Sequence, residues 1–151
     1  MPVSIRLVAF ALLAGFSSAN GVSAQTVAGT ATQWGLIGVW QLDCKAPISQ
    51  SNGALKYAVR GGKLFHDRDF GGGKTDSNVV ISARANSDET LEVTISFASF
   101  SQTRQFAFVK AADGRIRALN NRNVDTDEYS IRDGKFLANG NVTPWQSRCA
   151  K

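Results

Sequence analysis

From Leu36 onward the chain repeats one pattern: a short run in which apolar and polar residues alternate, followed by a cluster of Gly, Asn or Asp. The clearest run is Leu91 to Phe97, where Leu91, Val93, Ile95 and Phe97 share one parity and Glu92, Thr94 and Ser96 the other. A period of two belongs to the pleated strand, whose successive side chains point to opposite faces, so this run predicts a strand with one dry and one wet face. Frequent Gly, Asn and β-branched residues argue against long helices over the same stretch.

The pattern predicts strands at 36–44, 56–60, 63–67, 79–85, 91–100, 104–110, 115–119, 128–132 and 135–138, with a short closing segment at 145–149. Gly61-Gly62 and Asp133-Gly134 are tight hairpin links, because both central residues of such turns need positive φ. In 104–110, Phe106 and Phe108 share a face. Short antiparallel strands with short links read as an all-β fold, a single up-and-down β-barrel of about eight strands, with a β-sandwich as the alternative.

Ahead of this domain stand Arg6, an apolar run from Leu7 to Phe16, and small residues ending in Val22-Ser23-Ala24. That order reads as a signal peptide over residues 1–24, cleaved near Ala24/Gln25, which predicts a periplasmic or secreted protein. The apolar run falls short of the roughly 20 residues a membrane-spanning helix needs, so no stable membrane anchor is expected. Residues 25–34 are small and polar without a period and read as a flexible N-terminal arm, leaving 35–151 as the barrel domain. Cys44 and Cys149 are the only cysteines, and in an oxidising compartment an even pair reads as one disulfide. A bond between first and last strands favours barrel closure over two separate sheets.

The stretch Gly38-Val39-Trp40 resembles the Gly-x-Trp signature that opens the first strand of lipocalins and related calycin barrels. Those families often carry an Arg near the C-terminus packed over the Trp, and Arg148 stands at that position here. The resemblance implies a small exported barrel holding a hydrophobic ligand. In size the chain is also similar to biotin-binding barrels and to bacterial periplasmic metalloprotease inhibitors.

Little in the sequence points to catalysis. His66 is the one histidine, set in His66-Asp67-Arg68-Asp69-Phe70-Gly71, and reads as the end of a strand running into a solvated, Gly-rich loop. Asp125-Thr126-Asp127-Glu128 lacks the spacing of a calcium loop, and Gly71-Gly72-Gly73-Lys74-Thr75 lacks that of a phosphate loop. No metal or cofactor is therefore expected. The net charge of +5 comes from basic residues spread along the chain, which argues against nucleic-acid binding.

These readings predict a non-enzymatic binding protein that takes a small apolar ligand, with Phe97, Phe106 and Phe108 as ligand-binding residues and Gly38, Trp40 and Arg148 as the barrel signature. Two alternatives have a protein partner or none: a protease-inhibitor-like interaction module using the N-terminal arm or a loop, and a structural envelope protein.

Overall fold

The computed structural model describes residues 25–150, so the expected signal peptide and its cleavage point lie outside the described residues. The elements are α1 (Val27–Trp34), β1 (Gly38–Gln41), β2 (Ala54–Arg60), β3 (Lys63–Asp69), β4 (Thr75–Ala85), β5 (Leu91–Phe97), β6 (Gln102–Lys110), β7 (Ile116–Asn123), β8 (Tyr129–Arg132), β9 (Lys135–Phe136) and β10 (Ser147–Cys149). All ten strands belong to one antiparallel sheet, in the order β10-β1-β2-β3-β4-β5-β6-β7-β8-β9. The fold is thus all-β, in one sheet rather than the two of a sandwich; its ten strands exceed the eight or so expected of the barrel, and fall on the nine runs and the closing segment read from the sequence. The two hairpin links behave as expected, with φ of +55° and +74° at Gly61 and Gly62, and +52° and +71° at Asp133 and Gly134.

The ladder does not return on itself as a closed barrel. An isolated bridge joins the start of β7 to the residue before β10: the Ile116 amide donates to the Gln146 carbonyl at 3.0 Å, and the Gln146 amide to the Ile116 carbonyl at 2.8 Å. Nearby, Cys149 stands opposite Val39 in the β1–β10 register, and its sulfur is bonded to Cys44 with the Cα atoms 5.3 Å apart.

Strand alternation directs Leu64, Val80, Leu91, Val93, Ile95, Phe97 and Phe108 into one apolar core with Trp40 and Tyr57. Residues 25–34 depart from the expected arm, because Val27–Trp34 is a helix folded against that core. Thr26 caps it, its hydroxyl accepting from the Gly29 amide at 3.0 Å, and Gly35 ends it at φ +92°. Val27, Ala31 and Trp34 recur at helical spacing on the face turned to the core, and Ala31 and Leu36 are fully buried. Trp34 fastens the helix to the β4–β5 turn by donating to the Glu89 carbonyl at 2.8 Å.

β1 is shorter than expected because the chain leaves the sheet after Gln41 for a loop organised by the buried Asn52. The Asn52 amide oxygen accepts from the Asp43 amide at 3.0 Å, while its nitrogen donates to the carbonyls of Asp43, Ala46 and Pro47 at 3.0 to 3.2 Å. That loop carries Cys44 to its partner.

Candidate ligand cavity

The register Tyr57↔His66 sets these two side chains on the same inner face of β2 and β3. Their rings stack, with centroids 4.6 Å apart and planes 17° apart. Across the interior, Phe106 and Phe108 stack at 5.8 Å, and Phe108 meets Tyr57 edge-on at 6.3 Å. Between these walls is a cavity of about 180 Å³ that opens to solvent on one side, lined further by Leu55, Ala118, Ile131 and Phe136 and by Thr143, Pro144 and Gln146 from the segment before β10. The lining is mostly apolar. Thr143 is engaged elsewhere, its hydroxyl donating to the Ala118 carbonyl at 2.6 Å.

His66 is the exception in that wall. It is only 4% exposed, and neither ring nitrogen has a hydrogen-bond partner among the described residues. Burial, helped by the nearby Arg68 charge and opposed by Asp76 and Asp67, pushes its pKa down to about 3, so the ring is neutral at physiological pH. The Tyr57 hydroxyl is likewise held in its neutral form, burial raising its pKa and Arg68 lowering it.

The expected solvated loop at His66 is corrected by this geometry. β3 continues to Asp69, and alternation turns His66 inward and Asp67 outward. Asp67 pairs with Arg60 and accepts from Ser77 at 2.6 Å, and Asp69 accepts from the Gly71 amide at 2.8 Å. The three side chains do not converge. The signal that locates His66 inside is its parity with Leu64, combined with the two-residue Gly61-Gly62 link that sets it opposite Tyr57.

Next to the cavity, Phe97 meets His66 edge-on at 6.0 Å and Phe106 at 6.3 Å, but it packs behind the wall instead of lining it. It also lies under the Arg68 guanidinium at 4.7 Å, with the Phe100 ring at 5.1 Å. Arg68 Nε donates to Asp76 at 2.9 Å, and Asn78 donates to the same carboxylate at 2.9 Å. These bonds, the Arg68 bond first, hold the Asp76 carboxyl below its ordinary pKa. Of the three Phe residues expected to bind ligand, Phe106 and Phe108 are therefore brought to the cavity and Phe97 is not. Tyr57, His66, Ile131 and Phe136 belong to its wall and were not among the expected residues.

Gly38, Trp40 and Arg148 come together away from this cavity. The Arg148 guanidinium lies 5.1 Å from the Trp40 ring and donates to the Gly35 carbonyl at the end of α1. Gly38 has φ +145°, and a Cβ there would sit 3.3 to 3.4 Å from the Arg148 side chain, so glycine makes room for the arginine to cross β1. The Trp40 indole is buried and donates to the Leu36 carbonyl at 2.8 Å. A larger recess of about 510 Å³ beside this group is lined by Lys110, Arg115 and Arg148. Its cations are already engaged, with Lys110 bonded to the Trp34 carbonyl and Arg115 to Asp113 at 2.7 Å.

In comparisons with known proteins, no family model, no curated protein and no solved structure matches this chain.

Proposed function

We propose that this chain is an exported, non-catalytic binding protein whose curled sheet acts as a calycin-like barrel around a small hydrophobic ligand. The observation that carries the reading is the cavity of about 180 Å³ walled by Tyr57, Phe106, Phe108, Ile131 and Phe136. An apolar cavity of roughly 150 Å³ inside a protein takes up a benzene-sized molecule. Barrel closure is supported by the reciprocal Ile116–Gln146 hydrogen bonds and by β10 lying beside β1. The calycin likeness is supported by Arg148 lying over Trp40 with Gly38 beneath its stem. Export is supported by the Cys44–Cys149 bond, which suits an oxidising compartment. Docking through a free N-terminal arm is not carried forward, since residues 27–34 are folded on the core.

The test is ligand-observed NMR with toluene and the disulfide-bonded chain beginning at Gln25. Saturable toluene binding, lost when Ala118→Trp fills the cavity, is the expected result. A wild-type protein that binds no toluene overturns the reading.

A further inference from the structure

We propose that the open recess between the end of α1, the β6–β7 link and β10 is an anion site for a small molecule carrying two or more phosphate groups. It shares no lining residue with the apolar cavity and does not depend on how that cavity is read. Basic residues that are spread along the sequence are gathered here by the fold.

Charge without counter-charge is the first observation. Lys110, Arg115 and Arg148 line a recess of about 510 Å³ that holds one carboxylate, Asp113, already paired with Arg115. Lys110 and Arg148 donate to the carbonyls of Trp34 and Gly35, and neither has an ion-pair partner among the described residues. A carbonyl takes up one N–H; the positive charge and the remaining donors stay available. These two cations also converge: Lys110 Nζ and an Arg148 Nη lie 3.3 and 3.7 Å from the point where a Cβ on Gly35 would stand. Like charges held against one glycine repel, and a bound anion offsets that repulsion.

Arg117 is the second, independent observation. Its guanidinium lies 4.8 Å from the Trp145 ring, and that of Arg115 lies 5.8 Å from the same ring. Arg117 has no ion-pair partner among the described residues. Its Nε is buried and unpartnered, whereas its Nη atoms, also unbonded, keep accessible surface. An indole holds such a planar fork in place without neutralising it. Beside the recess, Arg117 therefore adds a fourth cation within reach of the same field, against the single carboxylate of Asp113.

Charge density selects the ligand class. At pH 7 a phosphate ester brings roughly 1.5 to 2 negative charges on one compact group, against one for a carboxylate. Its oxygens also accept paired N–H groups from a guanidinium. Two such groups match the unpaired cations, which a neutral or singly charged ligand does not.

The test is isothermal titration of the disulfide-bonded chain beginning at Gln25 with tripolyphosphate and, separately, citrate, at pH 7 and low salt. Saturable tripolyphosphate binding, at least about fivefold tighter than citrate, is expected. Arg115→Gln combined with Arg117→Gln should weaken it by about tenfold or more, the range one charge-assisted hydrogen bond supplies. Lys45→Gln with Lys74→Gln removes the same charge at exposed positions by the opposite ends of the strands and should leave binding unchanged. No binding by the wild type overturns the site, and citrate binding equally well overturns the phosphate assignment. Undiminished binding by the folded arginine variant, or an equal loss in the lysine variant, overturns the placement. Should the arginine variant fold poorly, amide shifts in the wild type decide: tripolyphosphate should move Gly114, Arg115, Ser147 and Arg148, and shifts centred elsewhere overturn the proposal.

Discussion

A neutral histidine in a dry wall makes stability depend on pH in a definite direction. In the unfolded chain His66 takes a proton near pH 6.5, whereas in the folded protein it does so only near pH 3. Protons therefore favour the unfolded state, and the stability present above pH 6.5 is lost as pH falls toward 3, at about 1.4 kcal/mol per pH unit for one proton. Asp67 and Asp76, both held below the usual carboxylate range by Arg partners, add their own loss only below about pH 4. Urea denaturation between pH 7 and pH 4 separates the two contributions. His66→Phe should flatten the curve across that interval and, by removing unpartnered nitrogens, raise stability at pH 7 by about 1 kcal/mol. An unchanged slope would mean that His66 is not buried in its neutral form. At the other end of the interior, Gly38→Ala is expected to destabilise by about 1 to 3 kcal/mol, since it adds a Cβ against Arg148 at φ +145°. The sequence made Gly38, Trp40 and Arg148 visible through their motif. His66 was obscured because its polar neighbours Asp67, Arg68 and Asp69 suggest water, although parity alone decides which face each one takes.

At the scale of elements, α1 is where sequence and structure part most. Thr26 and Gly35 are capping residues at the right distance, and Val27, Ala31 and Trp34 keep helical spacing, yet the segment is short and built of small residues. An isolated helix of that length is unstable in water, so local propensity predicts an arm; packing on the core decides otherwise. Removing residues 25–34 should therefore lower the melting temperature measurably instead of leaving folding intact. Ala31→Asp places an unpaired charge in a fully buried position and is expected to destabilise by about 3 kcal/mol or more, read by chemical denaturation. The strands were more legible than the helix, because period two holds over most of each strand and is interrupted only at the bulges in β4 and β7 and at the strand ends. Those ends shift for specific reasons: Asn52 draws the chain out of β1, and the Arg68–Asp76 pair extends β3 and β4 beyond their apolar residues.

Across the whole molecule, stability and the cavity are joined through the last segment of the chain. β10 has three residues, held by β1 on one side and by the Cys44–Cys149 bond, and the segment leading into it supplies Thr143, Pro144 and Gln146 to the cavity. The disulfide closes a loop of 105 residues, for which the chain-entropy model gives about 4 to 5 kcal/mol. Replacing both cysteines by serine should lower global stability by an amount of that order in urea. Opening is not expected to be uniform, because a short terminal strand with few partners belongs to the least stable part of a fold while β3 to β6 are paired on both sides. Amide hydrogen exchange on the double-serine protein should thus accelerate first at Ile116, Gln146 and Cys149→Ser, the positions joined by the bridge and the β1–β10 ladder. Toluene binding should weaken in parallel, since the same opening removes one wall of the cavity. Uniform acceleration over the sheet would instead assign the disulfide a purely global role and uncouple the end of the chain from the site.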